Sequence, residues 1–184
     1  MNLLAIVGQP GSGKDTAADY IANRYGFSHI SSGDVLREYI TNNNMGNLER
    51  ANLQRVVTKL RAEYGNGVLV DLILREMDQN SKIVVSGLRH PEEVGLVSKA
   101  GGALISIVSS AKRRYKRSIE RNRTGDNISF AEFKRLEEVE NQGGSWDIGE
   151  VIRMADYSIV NDGGYEDLLA NLDGLMQQLG ISKH

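Results

Sequence analysis

The opening of the chain constrains its fold more than any other stretch. Leu3-Leu4-Ala5-Ile6-Val7 is an apolar run of strand length, and a helical pattern follows from Thr16 to Tyr25. Between them lies Gly8-Gln9-Pro10-Gly11-Ser12-Gly13-Lys14-Asp15-Thr16, with the spacing G-x-x-x-x-G-K. Gly8, Gly11 and Gly13 let the backbone approach a ligand with no side chain between. A strand, a glycine-rich turn and a helix N-terminus carrying Lys14 form a phosphate cradle. The free N–H groups and the positive helix end face the anion, and the ammonium reaches the outer phosphates. This predicts a nucleoside triphosphate site, ATP in the first instance, built from Gly8, Gly11, Ser12, Gly13, Lys14, Asp15 and Thr16. One position departs from the pattern. The residue after the lysine is ordinarily Ser or Thr, whose hydroxyl helps to hold Mg²⁺, and here it is Asp15, with Thr16 one step later.

A chain of 184 residues fits one well-buried domain. Gly26 is placed to end the first helix, and Phe27 to Ile30 reads as a second strand. Ser32 or Asp34 could cap a helix running through Tyr39, and helices are predicted from Leu48 to Tyr64 and from Val68 to Met77. Lys82 to Ser86, Leu104 to Val108 and Tyr157 to Val160 read as strands. Helices are expected from Glu92 to Ala100, opened by Pro91, from Ala111 to Arg123, and from Tyr165 to Leu179. Another runs from Ser129 to Asn141, with Ser129 as cap and Glu132 in capping-box position. Such alternation implies a three-layer α/β/α P-loop fold with a five-stranded parallel sheet and ligands at the carboxyl ends of the strands.

The formal charge of −2 gives no general attraction to nucleic acid or an anionic membrane. Cysteine is absent, which excludes disulfides and thiolate metal sites and suits a cytoplasmic protein. The first apolar run is too short for a leader or a membrane span. His29, His90 and His184 lack metal-ligand spacing and read as structural or solvated. A monomer or weak homodimer is expected, with a small-molecule nucleotide as its partner.

The second polar cluster is Ser31-Ser32-Gly33-Asp34-Val35-Leu36-Arg37. Asp34 and Arg37 share a helical face, and an arginine there can grip a phosphate with its planar fork. Together with the glycine loop, this cluster resembles the nucleoside monophosphate kinases, adenylate kinase in particular. The resemblance implies that Arg37 holds the phosphate of an acceptor monophosphate, with Ser32 and Asp34 shaping its pocket in an insertion at about 33–75. Val84-Val85-Ser86-Gly87-Leu88-Arg89 is similar to the family's third-strand signature. That implies that Gly87 lets the acceptor pass and that Arg89 contacts its phosphate, although an ordinary strand-to-helix turn would also account for both. Ala155 to Gly163 resembles the final strand and loop of adenylate-kinase-like proteins and of dephospho-CoA kinase.

The helix from Ala111 carries Lys112, Arg113, Arg114, Lys116, Arg117, Arg121 and Arg123. Arg113, Arg117 and Arg121 recur at i, i+4 and i+8, which makes a cationic stripe. A solvated face or a nucleic-acid patch is the alternative. The resemblance implies a lid at about 111–145 whose Arg117, Arg121 and Arg123 close over the transferring group, with Arg135 in support and Gly125, Gly143 and Gly144 as hinges. The family's third strand commonly ends in an acid that, with the loop hydroxyl, organises Mg²⁺. Here Ser86 stands at that end and Asp15 in the loop, as if acid and hydroxyl had exchanged places around the metal. The reaction implied is transfer of the γ-phosphoryl of ATP to a nucleoside monophosphate. The alternatives are dephospho-CoA kinase or another small-molecule kinase acting on a hydroxyl, and a nucleotide-dependent switch or ATPase without an acceptor.

Overall fold

The computed structural model describes residues 1–78, 80–121, 128–142 and 148–184. Its centre is β1 (Leu3–Val7), buried at every position. Parallel neighbours flank it: β3 (Ile83–Ser86) on one side and β4 (Ala103–Val108) on the other, with β2 (Ser28–Ser31) and β5 (Tyr157–Val160) outside them. The order is therefore β2-β3-β1-β4-β5. A strand covered on both faces reads as a continuous apolar run, which is why Leu3–Val7 and Ile83-Val84-Val85 lack alternation.

Helices α1 (Lys14–Tyr25) and α9 (Tyr165–Gln178) cover one face, packing on Leu4, Ile6, Val84, Ile105 and Ile159. On the other face α4 (Val68–Glu76), α5 (Pro91–Lys99) and α8 (Ile148–Arg153) pack on Leu3, Ala5, Val85 and Leu104. A third cluster of buried side chains joins α2 (Ser32–Asn42), α3 (Arg50–Tyr64) and α4. The three-layer architecture and its five parallel strands match the sequence expectation. Two helices, α6 (Ala111–Arg121) and α7 (Phe130–Gln142), stand against each other. Tyr115 sets its ring 5.3 Å from Phe130 and 5.6 Å from Phe133. Among the described residues no helix is long and apolar enough to cross a membrane.

Boundaries moved for identifiable reasons. Helix α1 begins at Lys14 because Gly13, at φ +97°, caps it in the left-handed conformation. Phe27 lies outside β2 because its N–H closes α1 on the Ala22 carbonyl at 3.2 Å, after the left-handed Gly26 cap. Neither Ser32 nor Asp34 caps α2. Ser31 does, accepting from the Gly33 N–H at 3.2 Å. Ser129 caps α7 as expected, accepting from the Glu132 N–H, whereas the Glu132 carboxylate turns to Arg135 at 2.7 and 2.9 Å. Helix α8 went unread in the sequence.

Candidate active site

The loop after β1 is held from behind. Asn161, just past β5 and 4% exposed, donates its Nδ2–H to the Ser12 carbonyl at 2.8 Å. A Cβ at Gly13 would collide with that same Nδ2, so the close approach requires glycine. Arg117, from α6, donates to the Asn161 carbonyl at 3.0 Å and to the Gly11 and Ser12 carbonyls at 3.4 Å. Its guanidinium therefore grips the outside of the loop, a placement the lid reading did not anticipate. Asp162 fastens the end of β4 to this region, accepting from the Ser109 hydroxyl and the Ser110 N–H at 2.9 and 2.7 Å. Those donors, the Ser110 N–H foremost, lower its pKa.

In front of the loop is a cleft of about 280 Å³ lined by Gly8, Gly11, Lys14, Asp15, Gly87 and Arg89, among others. The Lys14 ammonium lies 2.9 Å from the Asp15 carboxylate, and both border the cleft. Ser12 is fully buried beneath it. Thr16, in the first turn of α1, is exposed.

A second cavity, of about 250 Å³, adjoins the first and shares Gly87 and Arg89 with it. Ser32, Gly33 and Leu36 of α2 form one side. Helix α3 forms the other with Arg50, Leu53, Gln54, Val57 and Arg61, and Leu69 closes the floor. Ser32 ties the two elements, its hydroxyl donating to the Gly87 carbonyl at 2.9 Å. Gly87 sits at φ +89°, where a Cβ would meet Ser32 Oγ at 2.7 Å. Arg61 reaches Glu93 of α5 at 3.7 Å, and the opposite carboxylate oxygen of Glu93 accepts from the Arg89 N–H at 2.6 Å. Burial raises the Glu93 pKa and lowers that of Arg61.

The sequence-predicted residues divide accordingly. Ser32, Gly87 and Arg89 line the second cavity, whereas Arg37 pairs with Asp34 at 2.7 Å outside its lining. Arg50, Gln54 and Arg61 were missed. Their signal was available, because positions 50, 53, 54, 57 and 61 fall on one helical face. Arg121 ends α6, but its side chain lies outside the described residues, as do Arg123, Gly125, Gly143 and Gly144. Arg135 is exposed on Glu132. Along the rest of the basic helix Arg113 is exposed and Arg117 turns to the loop. Arg114 is buried in an ion pair with Glu137 of α7, and its Nε donates to the Ser109 carbonyl at 2.9 Å. Ser86, 1% exposed, faces neither cavity as a lining residue; its hydroxyl lies 2.8 Å from Nε2 of His29, whose Nδ1 lies 2.7 Å from Asp19. Among the described residues no group of three His, Cys, Asp or Glu side chains is placed to hold a metal.

The AAA domain family matches residues 7–132, from the end of β1 past α6. A UPF0200 protein of Methanocaldococcus jannaschii is 33% identical over 97% of this chain and 91% of its own length. The chain belongs to the UPF0200 family within the AAA domain proteins. Its fold is that of P-loop kinases. A shikimate kinase from Bacteroides thetaiotaomicron superposes with a TM-score of 0.65 at 14% identity, over 97% of this chain and 98% of that one. A dephospho-CoA kinase from Campylobacter jejuni does so with a TM-score of 0.58 at 19% identity, over 97% and 96%. This UPF0200 chain therefore carries a P-loop kinase-like domain with two confluent cavities.

Proposed function

We propose that this UPF0200 protein is a phosphotransferase that passes the γ-phosphoryl group of ATP to a nucleoside monophosphate. The observation that carries the reading is the pair of cavities sharing Gly87 and Arg89. One is bordered by the glycine loop and Lys14; the other brings Arg50, Arg61 and Arg89 around an apolar floor. These cations, with Leu36, Leu53, Val57 and Leu69 in the same lining, suit an acceptor with an anionic group and a flat apolar body. Lys14 would exchange Asp15 for the outer phosphates, and Arg89, at the junction, would face charge from both sides. Arg117 would act by bracing the loop from behind.

Mg²⁺ fits the donors present. Asp15 offers an exposed carboxylate at the cleft, the hard oxygen that this ion takes through one or two carboxylates while keeping several waters. Bound with ATP, the ion would neutralise charge between the β- and γ-phosphates. Phosphoryl transfer needs positioning and charge neutralisation more than covalent chemistry, and fixed cations in a cleft supply both.

A second reading, a small-molecule kinase acting on a hydroxyl, draws support from Arg37. Its guanidinium is engaged with Asp34 and stands outside the cavity where a monophosphate acceptor would need it. The shikimate and dephospho-CoA kinases of like fold carry that chemistry in their names. The test is ADP release with ATP and Mg²⁺ against nucleoside monophosphates, shikimate and dephospho-CoA, with Lys14→Ala as the blank. Turnover with one monophosphate, lost in Lys14→Ala, is the expected result. Turnover with a hydroxyl acceptor alone selects the second reading. ATP binding that no acceptor stimulates turns the assignment to a nucleotide switch.

A further inference from the structure

Glu93 buries more polarity than its place in the helix requires. It is the third residue of α5, whose N-cap is His90, and its Oε2 accepts from the Arg89 and His90 N–H groups at 2.6 and 3.1 Å. Capping takes one oxygen, and glutamine serves at that position as well as glutamate. The second oxygen, Oε1, accepts no hydrogen bond among the described residues, although the side chain is 1% exposed. A buried oxygen in that state is costly, and the cap does not account for it. What it faces is Nη2 of Arg61, 3.7 Å away.

Arg61 and Arg89 both line the second cavity, one from α3 and the other from the turn after β3. Their charges act on each other and on Glu93. Burial raises the Glu93 pKa and both arginines oppose the rise; burial lowers that of Arg61, with Arg89 adding to the fall and Glu93 opposing it. Glu92, the neighbouring carboxylate, takes the Asn66 amide at 2.9 Å. Glu93 thus stands as a fixed post between two elements. One oxygen is bound to the backbone that carries Arg89, and the other is aimed at a guanidinium whose side chain is 9% exposed. Arg37, by contrast, is paired with Asp34 outside the lining.

We propose that Arg61 and Arg89 form the anion clamp of the acceptor cavity and that Glu93 is its positioning residue, setting the spacing of the two forks. A phosphate offers each planar guanidinium a pair of oxygens, so two forks at fixed spacing hold it in one orientation. This assignment rests on the nucleoside monophosphate reading above and gives Arg61 the place that the sequence offered to Arg37.

The test is a phosphorus NMR titration of the full chain with adenosine, guanosine, cytidine and uridine monophosphates, beside the steady-state assay. The glycine loop is first filled with the β,γ-imido analogue of ATP, so that the phosphate observed is the acceptor's. At least one monophosphate should bind saturably to the wild type. Arg61→Lys keeps a charge beside Glu93 but loses the fork, and should weaken that binding about 10-fold, as for one charge-assisted hydrogen bond. Glu93→Gln retains a capping oxygen and should weaken it by a similar factor, raising KM for the acceptor while kcat and KM for ATP hold. Taking away a carboxylate cannot weaken anion binding through charge, so that loss reports position. Should Glu93→Gln fail to fold, Arg61→Lys decides. Unchanged or tighter binding in Glu93→Gln, unchanged binding in Arg61→Lys, or a loss in Arg37→Ala that Arg61→Lys does not share would overturn the clamp. Monophosphates that bind through Arg61 and are never phosphorylated leave the clamp standing and refute the monophosphate kinase reading. A wild type that binds none of them overturns both.

Discussion

Asn161 shows how much a single amide can hold in place. Its Nδ2–H satisfies the Ser12 carbonyl, and its Oδ1 accepts from the Arg117 guanidinium at 3.3 Å. Asn161→Ala should cost about 1–3 kcal/mol, the range for stranding buried polar partners, and should raise KM for ATP as the loop loosens. Asn161→Asp retains the acceptor for Arg117 but loses the donor, so urea midpoints of the two variants separate the contacts. A second single-residue effect is set by His90, which is 7% exposed. Burial, reinforced by the Arg61 and Arg89 charges and opposed by Glu92, lowers its pKa from 6.5 to about 4. The folded chain thus protonates His90 only near pH 4, while the unfolded chain does so near 6.5. Between those values unfolding takes up a proton, so His90 makes stability fall as pH drops, by up to about 1.4 kcal/mol per pH unit, and the loss levels off below the folded pKa. Urea unfolding from pH 7 to 4 should show a shallower slope for His90→Gln than for the wild type.

At the scale of elements, α6 and α7 are joined, among the described residues, by a buried pair and a small aromatic group. Arg114 and Glu137 have side chains 6% and 13% exposed, and Phe133 lies under the guanidinium at 5.9 Å. Breaking such a pair leaves an uncompensated charge and typically costs 3–5 kcal/mol, about the effect expected of Glu137→Ala. Arg114→Met with Glu137→Leu should cost far less, because neither charge then has to be buried. A double-mutant cycle by urea denaturation measures the difference. The same hairpin marks the boundary of what the sequence made legible. All five strands and the long helices were readable because uninterrupted apolar runs and capping residues report local rules. Helix α8 was not, since six residues beside a glycine-rich joint leave too short a period to detect. The loop residues were equally legible, because glycine spacing is a backbone requirement. The destinations of the arginines were not. Arg37, Arg114 and Arg117 look alike on a helical wheel, and only tertiary neighbours send one to Asp34, one to Glu137 and one to the loop carbonyls. The Asp19–His29–Ser86 chain draws on α1, β2 and β3, so no local pattern announces it.

For the molecule as a whole, the parallel sheet gathers its working residues at one edge. The loop after β1, the start of α2 after β2, and the Gly87–Arg89 turn after β3 all lie at carboxyl ends of strands, and the β5 loop supports them. Helices α2 and α3 share a small core with the start of α4, built on Leu36, Ile40, Val57, Leu60 and Leu69, which carries the wall opposite Arg89. That wall is tied to α5 through Arg61 and Glu93. Gly87 and Arg89 belong to both chambers, so in the proposed reaction the phosphoryl group would cross directly from one to the other. Initial-rate lines for the two substrates should therefore intersect when plotted reciprocally instead of running parallel. A γ-phosphorus made chiral with oxygen isotopes should reach the acceptor with its handedness inverted, the mark of a single direct displacement.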